Sequence, residues 1–246
     1  MYGNFASFYD GLTYDVEYKK GAAYFLKLFE KYGKKPTLLL DLACGTGSLS
    51  NHFAKAGVEV IGVDMSEEML AIAREKSVEA GNDILYLCQK AEELDLYGTV
   101  DGAVCCLDSL NHITDYRKFC KAISRVSLFL EEGSLFIFDL NTEYKHREVL
   151  SDNVFVIETE DIYCVWANYF KEKNCVVDIS LNFFVKDGES YYRQSEQFSE
   201  RAYSLDQVKA ALEKAGLELV EIFDDWTEKP LEATSERAIV VTRKVK

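Results

Sequence analysis

The feature that most constrains this chain is residues 38–50, where a short apolar run leads through Asp41 into the turn Gly45-Thr46-Gly47. A helical pattern starts directly after the turn, and this order is typical of the first strand–loop–helix unit of an open α/β sheet. Gly45 and Gly47 let the backbone turn where a Cβ would clash, and the N–H groups that begin the helix favour an anionic group. The stretch therefore predicts a ligand-binding loop at the carboxyl edge of a sheet.

Two acidic residues indicate which ligand would suit this loop. Asp41 stands beside it, where a carboxylate would repel a pyrophosphate but would pair with a cationic amine. Asp64 closes the next apolar run, 58–64, where a carboxylate can accept hydrogen bonds from both hydroxyls of a ribose. The spacing Gly45-x-Gly47-x-x-Ser50 is close to the dinucleotide fingerprint, which is a weak signal by itself. The two acids favour a ligand with an amino-acid end over a dinucleotide.

The segments DLACGTGSLS and VIGVDMSEEML resemble motif I and the acidic second-strand motif of class I S-adenosylmethionine-dependent methyltransferases. The resemblance implies an α/β fold with a seven-stranded, doubly wound, Rossmann-like sheet. It implies that Asp41 faces the methionine end of S-adenosylmethionine, that Gly45 and Gly47 pass beneath the cofactor, and that Asp64 holds its ribose. By the same resemblance we expect further cofactor contacts from Tyr9, Ala43, Cys44, Met65, Gln89, Ala91, Glu92 and Leu107.

The residue that contacts the adenine and the role of Tyr9 each have alternatives. The family usually carries an acidic residue where this chain has Lys90, so the adenine is expected to contact Gln89, the Ala91 N–H group or Glu92. Helical patterns over residues 1–35 resemble the N-terminal lid of many small-molecule methyltransferases, and Tyr9 matches a tyrosine of one branch. An aromatic ring near a sulfonium gains about 0.5–2 kcal/mol from cation–π attraction, while ordinary helix packing remains the alternative for this residue.

The transferable methyl group is expected beside the residues that follow the fourth apolar run, 100–107. Asp108 and His112 follow that run, and Asp139 closes the fifth run, 133–139. Since carboxyl ends of parallel strands meet at one edge, we expect these side chains on the same rim. His112 is a candidate for deprotonating an acceptor near neutral pH, with a local hydrogen bond as the alternative. Asp108 and Asp139 are the other catalytic candidates, and no metal site is predicted.

Residues 147–202 interrupt the alternation of strands and helices with period-two patterns and turn residues such as Asp187-Gly188. This pattern predicts an antiparallel β-rich insertion of three or four strands that covers the acceptor site. The methyltransferase domain would then comprise residues 1–146 and 203–246, with the helical lid over 1–35. The last two strands are expected to form a hairpin whose final strand is antiparallel in the sheet.

The net charge, the apolar runs and the cysteine spacing limit which partners and which cellular location are expected. A net charge of −14 argues against nucleic acid, although residues 145–147 offer a small basic group. No apolar run approaches the roughly 20 residues that span a bilayer, and residues 1–4 carry neither a basic region nor an apolar signal core, so a cytoplasmic protein without a membrane partner is expected. Seven cysteines without a C-x-x-C pair indicate reduced thiols, with Cys88, Cys105 and Cys106 in the core.

These observations predict an enzyme that transfers a methyl group to an N- or O-nucleophile of a small molecule by in-line displacement. Two alternatives remain open. A non-catalytic S-adenosylmethionine-binding module would keep the same loop, and a nicotinamide-dependent oxidoreductase would be expected to lack Asp41. A nucleic-acid or protein methyltransferase is disfavoured by the acidic charge and by the absence of an Asn-Pro-Pro-Tyr type motif after residue 107.

Overall fold

Two β-sheets form the framework of the protein, whose computed structural model describes residues 16–245. The strands are β1 (Leu38–Leu42), β2 (Glu59–Asp64), β3 (Leu85–Cys88), β4 (Val100–Cys105), β5 (Leu130–Asn141), β6 (Val154–Glu158), β7 (Ile162–Lys171), β8 (Val176–Asp187), β9 (Ser190–Arg201), β10 (Leu217–Asp224) and β11 (Arg237–Lys244). The α-helices are α1 (Tyr18–Tyr32), α2 (Ser48–Lys55), α3 (Glu67–Ala80), α4 (Tyr116–Phe129) and α5 (Leu205–Lys214).

The larger sheet has seven strands in the order β10-β11-β5-β4-β1-β2-β3. Strands β1 to β5 run parallel, while β11 is antiparallel to both β5 and β10. This arrangement confirms the predicted doubly wound, Rossmann-like sheet and its antiparallel final strand. The order reverses between β1 and β4, and ligands of open α/β sheets bind at such a reversal, outside the carboxyl ends of the strands.

Two apolar clusters cover the two faces of this sheet. Leu40 and Leu42 of β1 belong to one cluster, and Leu39, which precedes them, belongs to the other, as the alternation of side chains along a strand requires. The helical pattern of the sequence places Leu130 on the buried face of α4, but Leu130 begins β5, where it is also buried. The pattern also predicts that Leu205 is buried in α5, but Leu205 is 40% exposed because it is the first residue of that helix.

The sequence predicts Ser66 and Asp115 as helix N-caps, because each directly precedes a helical pattern, and the structure confirms both. The Ser66 hydroxyl accepts a hydrogen bond from the Met69 N–H group at the start of α3, and the Asp115 carboxylate accepts one from Arg117 N–H at the start of α4. The second of the two predicted lid helices is present as α1, which packs against α2. The first predicted helix and Tyr9 lie outside the described residues.

The smaller sheet is antiparallel, with the order β6-β7-β8-β9. Its strands fall within the predicted insertion, residues 147–202, and alternate residues of β8 from Val177 to Val185 are buried. This burial on one side follows from the period of two along a strand. The extra antiparallel sheet is therefore confirmed, whereas the division of the chain into two domains stays a prediction.

Two smaller expectations are corrected by the structure. Cys105 and Cys106 are buried, but Cys88 is exposed at the end of β3; all seven cysteines are free thiols. His146 is fully buried and Arg147 forms an ion pair with Glu172, so residues 145–147 do not form a basic surface. In the part of the chain that the structure describes, no helix has the length and apolar character needed to cross a membrane.

Candidate functional site

The loop between β1 and α2 has the backbone conformation that its glycines allow. Gly45 has φ +54° and Gly47 has φ +71°, both in the left-handed region. A Cβ atom on Gly47 would lie 2.5 Å from the Tyr86 hydroxyl oxygen, whereas a Cβ on Gly45 would meet nothing within 4 Å. Gly47 is therefore required by packing, and Gly45 leaves open space in which a ligand can approach the bare backbone.

Asp41 lies under this loop and is only 2% exposed. Its Oδ2 accepts a hydrogen bond from the Ser50 hydroxyl at 2.5 Å. Burial raises the pKa of Asp41 to about 7, since one hydroxyl group replaces only part of the water that a carboxylate loses. Asp41 also lines a small cavity of about 30 Å³ beside Cys44, Gly45 and Leu107, where a cation would stabilise its ionised form.

Asp64 joins the two predicted motifs. Its Oδ2 accepts a hydrogen bond from Gly45 N–H and its Oδ1 accepts one from Ser66 N–H, each at 2.9 Å. Burial raises the pKa of Asp64 even though these backbone groups act in the opposite direction. Because each carboxylate oxygen has a second lone pair, Asp64 retains the capacity to accept further hydrogen bonds from a ligand.

A larger cavity of about 330 Å³ opens beside this carboxylate. One wall comes from the loop side of the large sheet: Ala43, Gly45, Asp64, Met65 and Leu107. The opposite wall comes from the smaller sheet: Ile157, Cys164, Trp166, Leu181, Phe198 and Glu200. Sequence reasoning named none of the apolar residues of the second wall as site residues, although the period-two pattern that predicted these strands also predicts which side chains share a face.

Three charged residues form a connected group at the end of β4, β5 and β11. Asp139 is 1% exposed, and Arg237 donates hydrogen bonds to Asp139 at 2.5 Å and to Asp108 at 2.7 Å. Burial alone would raise the pKa of Asp108, but the Arg237 guanidinium holds it below its usual value; burial prevails at Asp139, whose pKa is raised. Asp108 and Arg237 line the larger cavity, and Asp139 lies behind them.

The same group holds a strained turn. Leu107 and Asp108 have φ values of +58° and +52°, a conformation that costs a non-glycine residue about 1–3 kcal/mol. The Asp139 carboxylate accepts hydrogen bonds from both of their N–H groups, at 3.1 and 2.8 Å. Arg237 was missed by sequence reasoning, because a single arginine before an apolar run gives no sign that it meets a residue 129 positions earlier.

His112 lies on a single 3₁₀ turn, Ser109–His112, and lines the larger cavity. Its ring is 33% exposed, stacks at 5.0 Å from the Phe198 ring, and has Nε2 3.7 Å from Glu200 Oε1. Asp108, His112 and Glu200 offer one donor atom each within 4.8 Å of one another. Such a set can coordinate a metal, but Arg237 already neutralises Asp108, and the metal-free site stays a prediction.

The three alternatives for the adenine contact differ in their surroundings. The Gln89 amide exchanges two hydrogen bonds with the backbone of Asp95, at 3.0 and 2.8 Å. Glu92 is 9% exposed and forms an ion pair with Lys118 at 3.1 Å. Because these side chains already have partners, the Ala91 N–H group becomes the favoured alternative, which remains a prediction.

Comparison with known proteins agrees with this geometry. The profile of a family described as "Methyltransferase domain" matches residues 39–127. A candidate methyltransferase of Geobacillus sp. (strain WCH70) is 34% identical over 245 residues, which cover 99% of each chain. The crystal structure of an S-adenosylmethionine-dependent methyltransferase from Clostridium acetobutylicum ATCC 824 is 33% identical, with a TM-score of 0.89 over 98% of both chains.

A more distant structure shares the fold. CalS10, an amino pentose methyltransferase from Micromonospora echinaspora solved with S-adenosylmethionine bound, aligns over 93% of this chain and 92% of its own. The TM-score is 0.75 at 19% sequence identity.

Proposed function

This chain belongs to the class I S-adenosylmethionine-dependent methyltransferases, and from that premise we propose that it methylates an N- or O-nucleophile of a small molecule. S-adenosylmethionine is the cofactor of this family. The observation that carries the proposal is the larger cavity, because one space of about 330 Å³ is lined by Gly45 and Asp64 of the first wall, by Glu200 of the second wall, and by Asp108 and His112. A cofactor held at the first wall would turn its methyl group towards the second.

The residues of the loop fit the cofactor. The open space above Gly45 admits a ligand against the backbone, and Asp64 keeps lone pairs for ribose hydroxyls. Asp41 supplies a carboxylate whose ionised form a cationic amino group would stabilise. We assign Asp41 to the methionine end and Asp64 to the ribose on these grounds. When bound, S-adenosylmethionine supplies a methyl group that its sulfonium already activates, so the protein has chiefly to align the acceptor.

The acceptor would be aligned by the second wall. Ile157, Trp166 and Phe198 offer an apolar surface for its body and exclude water, while His112 and Asp108 surround its nucleophilic atom. An amine must be neutral and an alcohol must lose its proton before it reacts, so a base within hydrogen-bond reach assists either acceptor. His112 is our candidate for that base because it lines the cavity and its ring is partly exposed.

A small acceptor suits the size and charge of the site. The cavity is near the lower limit of the roughly 300–1,000 Å³ that is usual for small-molecule sites, and the cofactor must share it. The acidic groups favour an acceptor that arrives as a cation, such as an amino sugar or another amino-containing metabolite. CalS10, which shares the fold, is an amino pentose methyltransferase. A net charge of −14 disfavours nucleic acid.

Release of S-adenosylhomocysteine from S-adenosylmethionine tests the proposal. The enzyme is incubated with three pools of equal concentration: small amines that include amino sugars, small phenols and alcohols, and macromolecules (RNA and unfolded protein). We expect release with a small-molecule pool and a His112→Asn variant that is at least tenfold slower. Release with the macromolecules alone would contradict the proposal. No release from any pool, with intact cofactor binding, would favour a non-catalytic binding module.

A further inference from the structure

Glu200 lies between two histidines that belong to different layers of the protein. It is 5% exposed on β9, and its Oε1 is 3.7 Å from Nε2 of His112 at the cavity. Its Oε2 is 3.7 Å from Nε2 of His146, which is fully buried behind it. The carboxylate thus separates a ring in the acceptor site from a ring that has no access to solvent.

The surroundings of His146 indicate how many protons His146 and Glu200 hold together. Its Nδ1 lies 3.3 Å from the Cys175 carbonyl oxygen, and its Nε2 has no hydrogen-bond partner within residues 16–245. A neutral imidazole has one N–H group and one lone pair. With the proton on Nδ1 the lone pair faces a carboxylate, and with the proton on Nε2 it faces a carbonyl. Both contacts become favourable when His146 and Glu200 share one additional proton, which also makes the buried pair neutral.

A hydrogen-bonded scaffold fixes Glu200 relative to His112. The Asn141 side chain donates to Glu200 Oε2 at 3.1 Å. The fully buried Asn111, which precedes His112, donates to the carbonyl oxygens of Asn141 and Arg201 and accepts from Asn141 N–H. These bonds tie the 3₁₀ turn of His112 to β5 and to β9. The distance between His112 and Glu200 is therefore set by the fold and not by two mobile side chains.

We propose that Glu200 is a positioning residue for His112 and that His146 supports it from the buried side; the proposal rests on the proposed function. Glu200 Oε1 faces Nε2 of His112 at 3.7 Å and favours the tautomer with the proton on Nε2, which leaves Nδ1, to which no described residue hydrogen bonds, as the base. The bond between the nucleophilic atom of the methyl acceptor and its proton breaks. The electron pair of that bond stays on the nucleophilic atom, and the proton binds Nδ1 of His112. The imidazolium that forms is stabilised by the carboxylate at Nε2.

Other charges also face His112. Asp108 lies within the same 4.8 Å set and is ion-paired with Arg237, and the Asp64 carboxylate acts on His112 across the cavity. Because Arg237 neutralises Asp108 and Asp64 belongs to the cofactor wall of the cavity, Glu200 is the group that decides which ring nitrogen carries the proton. We therefore expect His112 to adopt a single tautomer in the free enzyme.

Nuclear magnetic resonance of the full chain labelled with ¹⁵N-histidine tests the proposal without an acceptor. The chain has three histidines, so a His52→Asn and a His112→Asn variant assign the ring signals. At neutral pH we expect His146 to show both ring nitrogens as protonated or sharing a proton, and His112 to show the Nε2–H form alone. In Glu200→Gln, His146 should become an ordinary neutral ring and His112 a mixture of tautomers. Glu196→Gln, on the same strand and face, should leave the ring signals unchanged.

Contrary results are equally distinct. A neutral His146 in the wild type, or rings that do not respond to Glu200→Gln in a protein with native circular dichroism, would overturn the proposal. A one-to-one shift of the His112 signals on adding Zn²⁺, absent in Glu200→Gln, would assign the group to a metal site instead. With an acceptor in hand, Glu200→Gln should lower kcat at least tenfold with KM for S-adenosylmethionine unchanged. If the spectra are as expected but no acceptor pool is methylated, the proposed arrangement of His112, Glu200 and His146 is supported and the proposed function is refuted.

Discussion

The loop that we assign to the cofactor and the rim that we assign to the acceptor border one cavity but are built differently. The cofactor loop, residues 41–47 with Asp64, comes from one strand–loop–helix–strand unit, and its hydrogen bonds join residues that are close in the sequence, Gly45 with Asp64 and Ser50 with Asp41. The acceptor rim is the set Asp108, His112, Asp139, Glu200 and Arg237, which joins segments that are far apart in the chain.

Because of this difference, substitutions in the two regions should affect ligand binding and stability differently. The cofactor loop depends on backbone shape, so changes there should weaken binding more than folding. The acceptor rim depends on buried charges that compensate one another, so changes there should cost stability first.

Arg237→Met should have the largest effect on stability. It leaves Asp108 and Asp139 buried without their cation, and breaking a buried ion pair costs about 3–5 kcal/mol. Urea denaturation measures the free energy of unfolding. The matched control is Arg243→Met on the same strand, where a hydrogen bond to the Tyr32 carbonyl oxygen is lost at about 1 kcal/mol. Equal losses of unfolding free energy in the two variants would show that the buried charges of Asp108, Asp139 and Arg237 contribute no more to stability than one ordinary hydrogen bond.

Gly45→Val should abolish binding of S-adenosylmethionine while the protein stays folded. A side chain there would fill the open space above the loop, and we expect the Kd to rise more than 100-fold, about 2.7 kcal/mol. Gly81→Val is the control, since Gly81 also has a left-handed φ, +68°, with nothing within 4 Å. Both variants should lose similar stability, and only the first should lose binding. Loss of binding in both would mean that strain, and not blocking of the site, causes the effect.

Asp64→Ala should raise the Kd of S-adenosylmethionine at least tenfold, about 1.4 kcal/mol, since hydrogen bonds to a charged group are lost. The loop also loses its contact with Gly45 N–H. Calorimetric titration provides the measurement, with the exposed Asp83→Ala as control. Unchanged affinity in a folded Asp64→Ala protein would refute the ribose assignment.

The pH dependence of stability should distinguish Asp41 from Asp108. The folded-state pKa of Asp41 is about 7, above its unfolded value of 3.8. The folded protein therefore keeps a proton that the unfolded chain releases, and the Asp41 contribution to the free energy of unfolding falls between about pH 4 and pH 7 by at most 1.4 kcal/mol per pH unit. The folded-state pKa of Asp108 is lowered, so its contribution is present above the unfolded pKa and is lost as pH falls.

Asp41→Asn checks this sign in urea denaturation at several pH values. The variant should gain stability relative to the wild type as the pH rises from 4 to 7. A constant difference between the two proteins across that range would contradict a raised pKa at Asp41.

The sequence predicted those parts of the molecule whose signal is local. Glycines, capping residues and period-two patterns act over a few residues, and they predicted the large sheet, α3 and α4 with their caps, and the four strands β6 to β9. The loop with Asp41, Gly45 and Asp64 was found in the same way.

The remainder depends on contacts that no local pattern encodes. Arg237 and Asp139 meet Asp108 only because β11 pairs with β5 beside β4. His146 was interpreted as part of a basic surface and is buried against Glu200. Cys88 was assigned to the core, but it ends an edge strand and is exposed. Charge within a sequence does not reveal which charges will be neutralised by distant partners.

Calorimetric titration of the wild type and Gly45→Val with S-adenosylmethionine, S-adenosylhomocysteine and NAD tests whether this loop holds the cofactor. We expect the wild type to bind the first two with micromolar affinity at one site and not to bind NAD, and we expect Gly45→Val to bind none of them. Binding of NAD alone, or equal binding of S-adenosylmethionine by both proteins, would contradict the assignment of this loop to the cofactor.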